Sequence, residues 1–137
     1  MYKRILLKLS GEQLQGDQSS GFDTERAKWI AEQIKEARAT GVEIVIMVGG
    51  GNYARGAQLA NESIQRITAD NMGMLATMLN ALALQDVFKS EKLSARALSN
   101  VTVDQFFDQF THRRAVNHLR KGRVVIVAGG TGRPFLT

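Results

Sequence analysis

IVIMVGGGNYARG, residues 44–56, sets three consecutive glycines directly after an apolar run and follows them with Asn52 and Arg55. Glycines have no side chains to pack, and they are a poor way to continue a strand or to begin a helix. A cluster of them at the end of a buried segment therefore means that the backbone itself is needed there. The preceding residues, VEIVIMV (42–48), read as a strand.

Similar punctuation recurs on either side. RILLKL (4–9) is short, apolar and bounded by Ser10 and Gly11, which predicts a buried strand. RVVIVA (123–128) predicts another and runs into GGTGRPFLT (129–137). SARAL (94–98) carries a weaker strand signal. Between these lie helical patterns. Asp23 reads as an N-cap with Glu25 in the first turn, and Ala27, Ile30, Ala31, Ile34 and Ala37 follow at helical spacing until Gly41 ends the pattern. GEQLQGDQSSGFD (11–23) reads as a long loop. Residues 64–88 read as mostly helical, with Leu75, Met78, Leu79 and Leu82 as one stripe and Met74 and Leu84 widening it, as for a helix buried on more than one side in a core or an oligomer interface. A second, basic helical segment is expected over about 104–121. Strands alternating with helices predict an α/β fold, with a parallel sheet covered on both faces. The pattern reads as cut short, because a helix normally follows a strand and its Gly-rich loop in such a fold.

Composition bounds the functions. With 137 residues the chain is one domain or part of a larger one, and 44% hydrophobic against 23% charged residues suits a globular protein. No cysteine is present, which excludes disulfides and thiolate metal sites and fits a reducing cytoplasm. The apolar N-terminus is broken by Lys8 and lacks a small-residue cleavage site, and no run of about 18 apolar residues occurs, so neither a signal peptide nor a membrane span is expected. The net charge of +5 suits an anionic partner. THRRAVNHLRKGR (111–123) is locally basic, but no aromatic residues interleave, so it reads as a solvated helix face and no nucleic acid is expected. His112 and His118 read as surface residues.

In a parallel sheet the loops KLSG (8–11), GGGN (49–52) and GGTG (129–132) fall on one edge, where open α/β folds bind ligands. A single glycine after a strand is most often a turn. Three such loops, with Lys8 and Arg55 beside two of them, point to a phosphate site. None fits G-x-x-x-x-G-K-[ST] or G-x-G-x-x-G. Lys8 is either a strand end turned to solvent or a fixed cation aimed at a transferring phosphate. Asp70 is either an N-cap or first-turn carboxylate or an acceptor for sugar hydroxyls.

YKRILLKLSGEQLQG (2–16), GGGNYARG (49–56), ADNMGMLATMLNALALQD (69–86) and AGGTGRPFLT (128–137) closely resemble the bacterial UMP kinases of the amino acid kinase family. The likeness runs in order through nearly the whole chain and corresponds to the N-terminal portion of those enzymes. It implies a three-layer αβα fold and makes residues 1–137 the nucleoside-monophosphate-binding part of one domain. It also implies phosphoryl transfer from ATP to UMP, giving UDP, with Mg2+. The 137 residues alone should have little activity, since the family's C-terminal half carries most of the adenine pocket. Lys8, Leu9, Ser10, Gly11, Gly51 and Arg55 match ATP-side positions, with Lys8 as the catalytic cation. Gly50, Asp70 and the run Thr131, Gly132, Arg133, Pro134, Phe135, Leu136 and Thr137 match UMP-side positions. Arg96 and Arg123 fall at effector-binding positions for GTP or UTP, and family members are typically hexamers. Lys89 and His112 stand where some members have histidine and an aromatic residue. A non-catalytic nucleotide- or anion-binding module of the same fold is the competing reading.

Overall fold

The computed structural model describes residues 2–54 and 60–133. Among these residues nine elements follow in chain order: β1 (Arg4–Leu9), α1 (Gly11–Gln15), α2 (Thr24–Arg38), β2 (Glu43–Val48), α3 (Arg66–Ser90), β3 (Ala95–Ser99), β4 (Asp108–Gln109), α4 (His112–Arg120) and β5 (Val124–Ala128). The strands form one sheet in the order β1-β2-β5-β3-β4, and every pairing is parallel. The register aligns Leu9 with Val48, Met47 with Val127, and Ser99 with Ala128. The carboxyl ends of four strands therefore share one edge.

Period-two alternation sends successive side chains to opposite faces. Ile44, Ile46, Val124 and Ile126 join α2 and α3 in the larger core. Val125, Val127 and Leu98 join Ala115 and Leu119 of α4 on the other face. The sheet is thus covered on both faces, as the alternation of elements predicts. α2 is capped as expected: Asp23 Oδ1 accepts from the backbone N–H of Glu25 at 2.9 Å and of Arg26 at 3.2 Å.

Three expectations are corrected. Residues 11–15 of the expected loop form α1, held by fully buried Leu14 and by Gln13 Oε1, which accepts from the Ser10 N–H at 3.0 Å. RILLKL is a strand, but among the described residues β1 is an edge strand paired with β2 alone, leaving Leu6 59% exposed. The basic helix begins only at His112; before it, Phe107 is buried and Asp108–Gln109 pairs with β3. In α3, Met78 and Leu84 are buried in the core, whereas Leu75 and Leu79 are each 54% exposed in the single chain, so of the two expected settings the core covers only part of that stripe. Among the described residues no helix is long and apolar enough to cross a membrane.

Candidate functional site

The three Gly-rich loops leave the sheet at its carboxyl edge and meet there. A cavity of about 810 Å³ opens between them, and Ser10, Gly50 and Thr131 all line it. Its size suits a small molecule, since such sites run to roughly 300–1,000 Å³. Lys8, Arg66, Arg133 and Asp70 all line it, three cations to one carboxylate, so the cavity favours an anion. Lys8 reaches it from β1, paired in register with Met47, which also lines it.

The GGGN loop is tied down from several directions. The Gly49 N–H donates to Leu9 O at 2.8 Å, which locks the first two loops together. Asn52 and Asn80 are buried and exchange hydrogen bonds through their amides at 2.9 and 2.7 Å. Gly50 sits so close to α3 that a Cβ there would come within 2.7 Å of Ala76 Cβ. The GGTG loop is held by a different residue of α3: the Gly129 N–H donates to Thr77 Oγ1 at 2.7 Å. Asn100 Nδ2 donates to Gly130 O at 2.6 Å, and the Gly132 N–H returns to Gly129 O at 2.8 Å.

Asp70 is not the N-cap of α3, a position taken by Gln65. It lies one turn in, where Arg66 Nε donates to its Oδ1 at 2.8 Å.

Of the residues singled out in the sequence, the structure brings Lys8, Leu9, Ser10, Gly50, Asp70, Thr131 and Arg133 to this one cavity. Gly11 and Gly51 press against one another just beyond it: a Cβ on Gly11 would run into the Gly51 nitrogen. Gly132 closes the turn of its loop without lining the cavity. Arg55 and residues 134–137 lie outside the described residues. Arg96 and Arg123 are elsewhere, at the amino-terminal edge of β3 and β5. There Arg123 Nη1 meets His118 Nδ1 at 3.1 Å, so His118 is a half-buried partner of Arg123 and not a plain surface residue. Burial, then the charges of Arg123 and Arg96, hold its pKa below the ordinary value. His112 is exposed, as expected. Sequence reasoning missed Arg66, Thr77, Asn80 and the role of Asn52. For Thr77 and Asn80 the signal is present as polar residues inside the apolar run MLATMLNALAL (74–84).

An open parallel sheet whose strand-end loops border a cationic crevice defines an α/β protein with a cavity suited to an anionic small molecule. A model of the amino acid kinase family matches residues 3–135, and the chain belongs to that family. It is 51% identical to the uridylate kinase of Methylococcus capsulatus and 50% identical to that of Agrobacterium fabrum, in each case over the whole of this chain and 57% of the relative. The chain thus spans little more than half the length of the curated relatives it matches. Among solved structures, the UMP kinase of Bacillus anthracis superposes with a TM-score of 0.91 at 37% identity, over 99% of this chain and 56% of that one. An aspartate kinase from Synechocystis, at 20% identity and a TM-score of 0.65 over 91% of this chain and 21% of that one, shares the fold.

Proposed function

We propose that the chain forms the nucleotide-binding N-terminal part, residues 1–137, of a UMP kinase that transfers the γ-phosphoryl group of ATP to UMP. The observation that carries this is the meeting of three strand-end loops on one cavity that Lys8, Arg66, Arg133 and Asp70 share. The names of the similar proteins supply the substrates.

In this reading a phosphate oxygen of UMP attacks the γ-phosphorus of ATP and the bond to the β–γ bridging oxygen breaks, giving UDP and ADP. Such transfer depends on positioning and charge more than on covalent help. Lys8 holds a positive charge where the transferring group gains negative charge. Leu9, Ser10, Gly11, Gly51 and Arg55 form the ATP side. Gly50 and the segment 131–137 cradle the UMP phosphate, and Asp70 accepts a ribose hydroxyl while it orients Arg66. Magnesium, if bound with ATP, would neutralise phosphate charge. Mg2+ commonly keeps several waters and binds through substrate phosphates.

The exposed Leu75 and Leu79 on α3 support a homo-oligomer, taken as a hexamer by the resemblance. Arg96 and Arg123, at the far edge, are the proposed GTP or UTP contacts, and the site of action is the cytoplasm. Residues 1–137 alone are expected to bind UMP with little turnover.

The test is Lys8→Ala in the intact protein, assayed with ATP, magnesium and UMP. A kinase loses kcat by about 100- to 1,000-fold while keeping its UMP affinity within a few fold. A wild-type protein that binds UMP and never forms UDP would instead be a sensor.

A further inference from the structure

Helix α3 crosses behind both Gly-rich loops, and one of its faces touches each. Asp70, Gly73, Thr77 and Asn80 follow one another at three- and four-residue spacing, so they share that face. Asp70, Gly73 and Thr77 line the cavity. Thr77 uses its hydroxyl twice: it donates to Met74 O at 2.6 Å and accepts from the Gly129 N–H at 2.7 Å. Asn80 and Asn52 are 0% and 2% exposed, and every amide N–H of the pair is used. One from each goes to the other; the second goes from Asn80 to Gly49 O at 2.8 Å and from Asn52 to Gly21 O at 2.9 Å. Because both outer partners are carbonyls, only this orientation of the two amides satisfies the network.

A planar trans peptide fixes the consequence. Its N–H points opposite to its C=O. Asn80 holds the Gly49 carbonyl on the helix side and so turns the Gly50 N–H the other way. Thr77 holds the Gly129 N–H and so turns the Ala128 carbonyl away, where it accepts from the Asn100 N–H at 3.1 Å. Neither glycine has a side chain to set its own peptide plane.

We infer that Asn80, with its partner Asn52, and Thr77 are positioning residues: they aim the peptide planes of the two phosphate-facing loops and hold those loops in register along one helix face. This rests on the kinase reading of the cavity. In the intact enzyme, Thr77→Val removes the acceptor with little change of shape, and Thr77→Ser restores it. Thr77→Val should raise KM for UMP by about tenfold or more while KM for ATP stays within about twofold, and Thr77→Ser should return to near the wild-type value. Hydrogen exchange at the Gly129 amide should speed up in Thr77→Val and not in Thr77→Ser. Asn80→Asp, which sets an oxygen against Gly49 O, should lower kcat by about 10- to 100-fold, because the 49–51 loop borders both substrates. A lower melting temperature with unchanged kcat and both KM values in Thr77→Val would overturn the inference. Should Asn80→Asp fail to fold, the Thr77 pair decides. A wild-type enzyme without turnover would sink the kinase reading and this inference with it; an active one with an indifferent Thr77→Val sinks the inference alone.

Discussion

The GGGN and GGTG loops look alike on paper and need their glycines for different reasons. None of Gly49, Gly50 and Gly51 has a positive φ, so an L-residue could adopt their backbone angles. What they lack is room. A Cβ on Gly50 would lie 2.7 Å from Ala76 Cβ and 2.9 Å from the Thr77 nitrogen; one on Gly51 would lie 2.7 Å from Glu12 Oε1. In the second loop Gly129, Gly130 and Gly132 have φ of 83°, 53° and 78°. Gly130 has space to spare, its nearest prospective neighbour being Met74 Cγ at 3.9 Å. The first loop is glycine because helices press on it; in the second the chain must turn left-handed, and Gly129 and Gly132 are crowded as well, a Cβ on Gly132 lying 2.9 Å from Asn100 O. A run of glycines at a sheet edge therefore does not by itself report a phosphate, and the cationic lining of the cavity carries that argument instead.

Substitution by alanine separates the two reasons. Gly50→Ala forces a methyl group into the backbone of a packed helix and should cost about 3 kcal/mol, read by urea denaturation, with loss of UMP turnover. A cost below about 0.5 kcal/mol would mean that the loop moves freely and that crowding does not explain its glycines. Gly130→Ala meets no neighbour and pays only the left-handed strain, about 1–2 kcal/mol. Gly130→Asn should cost less than Gly130→Ala, because asparagine tolerates that region better. Applied at Gly50, the same asparagine should be worse than alanine, since it is larger. If asparagine ranks the same way relative to alanine at both sites, the distinction fails.

This difference also shows what sequence could convey. The strands β1, β2 and β5, the Asp23 cap and the convergence of three loops on one edge follow from local pattern and the geometry of parallel sheets. Helix α1 does not, since GEQLQ offers one apolar residue and five residues are too few to be helical unaided; burial of Leu14 supplies the stability. The exposure of Leu6 depends on where β1 falls in the sheet order, and an apolar run does not encode that. Arg66 was overlooked because its partner lies four residues away on a helix, a pattern common on any surface. Thr77 and Asn80 were overlooked because their partners, Gly129 and Asn52, lie 52 and 28 residues distant. Polar residues inside an apolar helix signal a buried hydrogen bond, but the bond's destination is a matter of tertiary structure.

The smallest effect is expected at the opposite edge of the sheet and serves as a control for both loops. His118 Nδ1 receives Arg123 Nη1, so the ring is neutral, with its proton on Nε2. Burial, then Arg123, Arg96 and Lys121, depress its pKa, and Asp108 opposes them. A folded-state pKa below the unfolded one means that the unfolded chain binds the extra proton more readily. The resulting stability is fully present above about pH 6.5 and is lost as the pH falls through the folded-state value. His118→Gln should therefore flatten the fall in melting temperature between pH 7 and pH 5 relative to wild type, since carboxylates titrating in the same range are common to both proteins. The destabilisation by Gly50→Ala and Gly130→Ala should keep its size across that range in the His118→Gln background, because neither crowding against α3 nor left-handed strain involves this proton. A Gly130→Ala cost that changed with pH only when His118 was present would show that the two edges of the sheet communicate.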